Sequence, residues 1–185
     1  MGNQDTAKGG RKMSSDNAGS RVAVKSNQDA VSNQAGLNPG DKPFIHVIYY
    51  DEYHYCKVYN TRGTEVFKFD MRNDAVGQGI GHDGKCPFGD YQLGTPRKED
   101  KSEFGPFFIP VRDIDANGQL HRHKRAGIGI HGGGSGLVNS FAPRQGWVKT
   151  DGCFRMQNED LIELADYVNH NLDVGNLVFF TNRPN

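Results

Sequence analysis

The chain has 185 residues, enough for one domain of ordinary size with a tail. Its 22 lysines and arginines are balanced by 22 aspartates and glutamates, which argues against a dedicated nucleic-acid binder working through a basic surface. Three cysteines, Cys56, Cys86 and Cys153, are too few for a disulfide scaffold; a single bridge between Cys56 and Cys86 stays open and would leave Cys153 as a thiol.

Residues 1–40 are polar and rich in Gly, Asn, Ser, Gln and Asp, and they read as a flexible N-terminal tail with Val22–Lys25 as a candidate edge strand. The opening MGNQDTAKGGRK has no apolar run, so no secretory signal is expected. No stretch of the chain is long and apolar enough to be read as a transmembrane helix. Met1-Gly2-Asn3 with Thr6 fits the formal myristoylation pattern, a short and common one.

A domain is expected over residues 41–185. Phe44–Tyr50 reads as a strand, and Asp51-Glu52 turns it. Tyr53–Tyr59 follows, with His54, Cys56 and Val58 on one face and Tyr53, Tyr55, Lys57 and Tyr59 on the other. After the Asn60–Gly63 turn, Glu65–Phe69 is a third strand, with Val66 on the face opposite Phe67 and Phe69; three antiparallel strands in series are expected. Met71–Pro87 is glycine-rich and loop-like, and the spacing of Asp70, Asp74, Asp83 and Asp90 does not fit a calcium loop. Phe88–Leu93 is a strand, Pro96–Ser102 is charged and solvated, and the two prolines of Phe104–Val111 predict an edge segment. Asp113, Asp115, Asn117 and Gly118 make a hairpin turn. His121 and His123 share a strand face at a spacing that permits chelation with His131, but Arg122, Lys124 and Arg125 crowd them with like charge. A solvated basic edge is the preferred reading, and no metal or other cofactor is expected.

The stretch Ala126–Asn158 carries the chemistry. His131 closes the run Gly127-Ile128-Gly129-Ile130, in which apolar residues alternate with glycine, the pattern of a buried strand closely approached by another segment. Gly132, Gly133, Gly134 and Gly136 are a candidate phosphate-binding nest, without the lysine pair of a P-loop. Cys153 lies 22 positions after His131, between Gly152 and Phe154. A thiol reacts as its thiolate and needs a base or a cation nearby. His131 can serve as the base, and Arg155 as the cation, whereas the following helix starts too late to help. Gly152 permits a sharp turn, and the N–H groups of Gly152 and Cys153 can face a developing oxyanion. Asp160–Val168 is the clearest helix: Leu161, Leu164, Ala165 and Val168 form one face, with Asn158 or Asp160 as its cap, a box with Glu163 in the second case. Leu177–Phe180 is a final strand.

Ile130-His131-Gly132 followed by Thr150-Asp151-Gly152-Cys153-Phe154-Arg155-Met156, with Asn158 and Asp160 behind, resembles the signature of the L,D-transpeptidase catalytic domain (the YkuD-like family). That signature is His-Gly, a spacer, Ser or Thr, His, Gly, Cys, a hydrophobic residue, then Arg or Asn. The earlier segment Gly79–Leu93, with Pro87, Gly89 and Tyr91, is similar to a second family piece, and the resemblance covers roughly residues 43–180. It implies a mainly-β fold, a crossed-sheet sandwich with one substantial helix after the cysteine turn. It implies that Cys153 is the nucleophile and His131 its base, the latter oriented by the main-chain carbonyl of Gly132. Thr150 takes the hydroxyl position, Gly152 contributes to the oxyanion hole and Arg155 supports the site. Asp151, Gly132 and Phe154 would line the substrate site. The chain departs from the pattern at Asp151, where the family has histidine, and in a slightly long spacer of 18 residues between His131 and Thr150, explained by a surface insertion over 139–146.

The resemblance implies cysteine-dependent acyl transfer on peptidoglycan tetrapeptide stems. The terminal D-alanine would be cleaved and the acyl group passed to an amine, as a 3-3 cross-link or D-amino acid exchange, or to water, as an L,D-carboxypeptidase. Two alternatives stand beside it: a cysteine amidase or peptidase on another substrate, and a non-catalytic cell-wall-binding protein. Action in the periplasm or cell envelope without a signal requires a dedicated secretion system or lysis. An antibacterial effector with a secretion apparatus and a cognate immunity protein as partners fits that requirement.

Overall fold

The computed structural model describes residues 42–76, 84–114 and 127–184. The expectations for the tail, for Val22–Lys25, for Gly79–Asp83, for the Asp115–Gly118 part of the hairpin turn and for His121 and His123 lie outside the described residues. The described chain is mainly β with one substantial helix.

The three expected strands in series are β1 (Phe44–Tyr50), β2 (Tyr55–Tyr59) and β3 (Glu65–Arg72), paired antiparallel in turn. β1 does not alternate, because it also pairs in parallel with β9 (Leu177–Arg183) and is covered on both faces. Ile45, Val47 and Tyr49 are fully buried, and so are Cys56 and Val58 of β2. Tyr53 and His54, expected in the second strand, belong to the preceding turn: His54 adopts a left-handed φ of 53°, and its carbonyl accepts the Met71 N–H at 3.0 Å. Cys56 and Cys86 are both buried thiols, so the bridge left open by the sequence is not formed.

The later strands are β4 (Gly89–Leu93), β5 (Arg97–Lys98), β6 (Phe107–Asp113), β7 (Gly129–His131) and β8 (Phe154–Met156). The pairing order is β4-β9-β1-β2-β3-β8-β7-β6-β5, and β4 also pairs with β6. β6 is therefore not the edge that the two prolines of Phe104–Val111 predict. Pro110 lies opposite Gly129 of β7, and the main-chain bond of that ladder falls on the next residue, Val111 N–H to Ile128 O at 3.0 Å. The side on which Pro110 lacks an N–H faces the interval between β4 and β5, where its carbonyl accepts the Gly94 N–H at 2.8 Å. A proline is tolerated where the neighbouring strand is interrupted.

The helix α1 spans Asn158–Asp173, longer at both ends than its apolar stripe suggests. Leu161, Leu164, Ala165 and Val168 are fully buried, as the stripe predicts. Neither Asn158 nor Asp160 caps it. The N-cap is Gln157, without a side-chain bond to the helix, while Asn158 is turned away to other work. At the far end the helix continues through Asn171, a buried residue whose Nδ2 donates to the Tyr167 carbonyl at 2.9 Å. Among the described residues no helix is long and apolar enough to cross a membrane. The aromatic centre of the core joins β1, β8 and β9, with Phe154 edge-on to Phe180 at 4.7 Å and to Tyr49 at 5.2 Å.

Leu164 has no exposed surface, and its removal leaves a cavity that rigid strands cannot fill. Leu164→Ala should lower unfolding stability in urea by about 2–5 kcal/mol; a loss under about 1 kcal/mol would show that the helix is not anchored through this residue.

Candidate active site

β7 and β8 are short parallel neighbours, with Ile130 beside Phe154 and His131 beside Arg155. Partners in a ladder point to the same face, and so do residues two apart on one strand. His131 and Arg155 therefore share one face, and Cys153 stands immediately before β8, two positions from Arg155. Of the two glycines that alternate before His131, Gly129 is closely approached as the sequence suggests, since a Cβ there would collide with the ring of Phe108 on β6, whereas Gly127 has open space beside it and a left-handed φ of +93°.

His131 is 4% exposed, and its Nδ1 lies 2.7 Å from the Gly132 carbonyl, the contact expected of it. A carbonyl only accepts, so Nδ1 carries the proton and Nε2 holds the lone pair. The ring meets Phe104 edge-on at 5.4 Å and lies parallel to Phe108 at 6.3 Å. Burial among these groups pushes its pKa down to about 4, the Gly132 bond opposes the shift, and Arg155 adds to it. The imidazole is neutral near pH 7, as a base must be before it accepts a proton.

The cysteine turn is tied from two sides. Thr150 Oγ1 accepts the Gly152 N–H at 3.2 Å and donates to the Cys153 carbonyl at 2.8 Å. Asn73, just beyond β3, donates through Nδ2 to the Gly152 carbonyl at 2.7 Å and to the Cys153 carbonyl at 3.2 Å. Gly152 has φ of +103°, which favours a residue without a Cβ. The Cys153 thiol is 9% exposed, and its Sγ–H points at the Gly127 carbonyl at 3.6 Å. Asp151 is exposed at the tip of the turn, whereas Phe154 is fully buried in the core. Phe154 therefore supports the turn from below instead of lining a substrate surface.

The glycine loop is not a phosphate nest. The Gly132 N–H goes to the Phe104 carbonyl at 3.0 Å, the Gly133 N–H to Asn158 Oδ1 at 3.0 Å and the Gly134 N–H to the Ser102 carbonyl at 2.8 Å. The amides a phosphate would need are bonded inside the protein. Arg155 is 1% exposed, and its guanidinium donates to the carbonyls of Gly133, Gly146 (3.1 Å) and Val148 (3.4 Å). Burial lowers its pKa to about 10, so it remains a cation at neutral pH. Trp147 carries Arg72 over its ring at 4.6 Å, with Arg155 at 6.0 Å. The 139–146 segment lies against the start of α1: Asn158 Nδ2 donates to the carbonyls of Ser140 (2.8 Å) and Ala142 (2.7 Å), and the Glu159 N–H donates to Pro143 at 3.1 Å.

The structure thus gathers Cys153, His131, Gly132, Thr150, Gly152 and Arg155 in one place. Sequence reasoning missed Asn73, which stands in a loop far from the motif with no local pattern to mark it. It also missed Phe104 against the imidazole and the loop-tying role of Asn158.

The family model of the L,D-transpeptidase catalytic domain (YkuD) matches residues 43–178. Comparison with curated proteins gives no match. Among solved structures, the chain is similar to the helical cell shape determining protein Pgp2 from Campylobacter jejuni, at 20% identity and a TM-score of 0.53, covering 77% of this chain and 48% of that one. It is also similar to Bd1075 from Bdellovibrio bacteriovorus, at 16% identity and a TM-score of 0.52, covering 77% and 49%. The chain spans about half the length of these structures, and at such identities the likeness is one of fold.

The low pKa of His131 has a stability consequence. Its folded value lies below the ordinary 6.5, so between pH 6.5 and 4 the unfolded chain binds more protons, and stability is lost as the pH falls through that window. The loss reaches about 3 kcal/mol for a shift of this size. His46, also held at about 4 by burial, contributes a loss of the same sign in wild type and variant alike. Urea unfolding of the wild type and His131→Gln at pH 7 and pH 4.5 should therefore give a wild-type advantage that shrinks on acidification. An advantage unchanged with pH would refute a buried neutral imidazole.

Proposed function

We propose, from the premise that this chain belongs to the YkuD family of L,D-transpeptidase catalytic domains, that it performs cysteine-dependent acyl transfer on peptidoglycan tetrapeptide stems. Cys153 attacks the carbonyl of the third stem residue, a diaminopimelate, and His131 Nε2 takes the thiol proton. The oxyanion is met by the main-chain N–H of Cys153; that of Gly152, expected to share the task, is bonded to Thr150 Oγ1. Collapse expels D-alanine, whose nitrogen takes the proton back from His131, and leaves a thioester on Cys153. An amine then resolves it to a 3-3 cross-link or an exchanged D-amino acid, and water resolves it to a tripeptide.

One observation carries this reading: the Gly132 carbonyl fixes His131 as its Nδ1–H tautomer at the end of β7, the parallel neighbour of the strand that Cys153 leads into, which leaves Nε2 as the base. Arg155 supports the site by fixing the loops around it and keeping a positive charge beside the imidazole, which disfavours a resting imidazolium. The scaffold we assign is the family's crossed-sheet sandwich, with β3 and β6 each pairing in both sheets. Asp151 places an exposed carboxylate at the tip of the turn, where it meets whatever acceptor approaches. We place the action in the periplasm or cell envelope, reached by a dedicated secretion system or by lysis, as an antibacterial effector would be.

Purified tetrapeptide muropeptides should lose or exchange their terminal D-alanine with the wild-type protein, read by mass spectrometry with and without D-methionine. Cys153→Ala should reduce turnover to the level of the protein-free control while remaining folded. Undiminished turnover in that variant would remove the thiol from the mechanism. Asp151→His should change the ratio of exchanged to hydrolysed product; an unchanged ratio would remove Asp151 from acceptor choice.

A further inference from the structure

Resting on the assignment of Cys153 as the acylated residue, we propose that Asn73 is a positioning residue that aims the Cys153 N–H, through the Gly152 carbonyl, at the oxyanion formed during acylation. Asn73 is 1% exposed, and both ends of its amide are engaged. Nδ2 donates to the Gly152 carbonyl at 2.7 Å and to the Cys153 carbonyl at 3.2 Å, while Oδ1 accepts the Cys86 N–H at 3.0 Å. Its own N–H donates to Tyr49 Oη at 3.1 Å, and that hydroxyl donates to Asp51 at 3.0 Å. Asn73 is thus held by β1 through its main chain and by the Cys86 segment through its side chain, independently of the turn it holds.

The geometry of a peptide unit turns this into a catalytic consequence. The Gly152–Cys153 bond is trans, and a trans peptide is planar with its N–H antiparallel to its C=O. Fixing the Gly152 carbonyl towards Asn73 therefore directs the Cys153 N–H to the opposite side of the turn. The next plane is fixed as well, because the Cys153 carbonyl accepts from both Asn73 and Thr150 Oγ1. With both flanking planes held, the backbone of Cys153 has little freedom, and its thiol and N–H keep a set relation. A carbonyl that accepts a strong hydrogen bond also makes the N–H of its own peptide a better donor. The N–H of the peptide whose carbonyl Asn73 binds is that of Cys153, so it is the donor that Asn73 governs, while the Gly152 N–H is bonded to Thr150 Oγ1.

In the step concerned, the S–C bond forms, the carbonyl π pair moves to oxygen and the thiol proton passes to His131. Only the charge on oxygen calls on the N–H that Asn73 aims. Alkylation of the same thiol by iodoacetamide forms an S–C bond and expels iodide without any oxyanion. The two reactions therefore separate oxyanion support from general integrity of the site.

The experiment compares wild type, Asn73→Asp and Asn73→Ala. Asn73→Asp keeps the acceptor for the Cys86 N–H and loses the amide donor; Asn73→Ala loses both. Single-turnover acylation by purified tetrapeptide muropeptide and the iodoacetamide rate at Cys153 are both read on the Cys153-containing peptide by mass spectrometry. Acylation should fall about 100-fold in both variants, the scale of losing a preorganised oxyanion donor, with alkylation changed less than about 3-fold. A parallel fall of both rates, no fall in either, or failure of both variants to fold would overturn the proposal and leave Asn73 a structural residue. A wild type that is alkylated yet never acylated would instead remove the assignment of Cys153, and the role of Asn73 with it.

Discussion

The buried guanidinium of Arg155 is the constraint on which the site depends. A cation removed from water costs several kcal/mol unless its donors find acceptors. Here the two terminal nitrogens find carbonyls of Gly133, Gly146 and Val148, three main-chain groups from two stretches of the β7–β8 connection, while the buried Nε has no partner among the described residues. Satisfying one side chain therefore draws the glycine loop after β7 and the segment before the cysteine turn onto the same strand end. Because Arg155 lies beside His131 in the β7–β8 register, the same pairing sets the imidazole over that assembly. A lysine there would present one ammonium where a planar fork reaches several carbonyls.

A second layer of amides locks what Arg155 gathers. Asn158 Oδ1 takes the Gly133 N–H, and its Nδ2 reaches back to Ser140 and Ala142. Gln157 and Gln145 exchange bonds between side chain and main chain, Gln145 N–H to Gln157 Oε1 at 2.7 Å and Gln157 Nε2 to the Gln145 carbonyl at 3.2 Å. The first residues of α1 thus hold a long loop in place of capping their own helix. A loop of this length gains order only by having its polar groups paired one by one.

What was legible in the sequence follows from how local each signal is. The stripe Leu161, Leu164, Ala165 and Val168 is a property of one element, and it reads correctly from spacing alone. The glycine before His131 reads correctly too, since close approach leaves a mark at the residue that must be small. Pro110 of β6 misleads because its tolerance depends on a gap between two other strands. Asn158 misleads because a good capping residue was recruited by a loop 16 to 25 positions earlier in sequence. The glycine run misleads because its amides are claimed by Phe104, Ser102 and Asn158, partners that only the fold brings near. Asn73 lies 79 positions from the carbonyl it binds, and nothing around it in the chain marks that contact.

The departure at Asp151 takes its meaning from the same bonds. The turn is shaped by Thr150 Oγ1, by the amide of Asn73 and by the glycine at position 152, while the side chain at 151 stands exposed. None of those ties from Thr150 and Asn73 runs through the side chain at 151, so a carboxylate in place of the family's histidine puts a negative charge at the exposed tip and leaves them in place. Behind the turn, Arg155 and burial keep His131 neutral. The resting site therefore combines an interior that disfavours an imidazolium with an outer anion that favours cationic approach. An amine acceptor is such a cation until it gives up its proton, and water is not. On the acyl transfer proposed above, residue 151 would act on the choice between transfer and hydrolysis, and formation of the acyl-enzyme would belong to the layer beneath it.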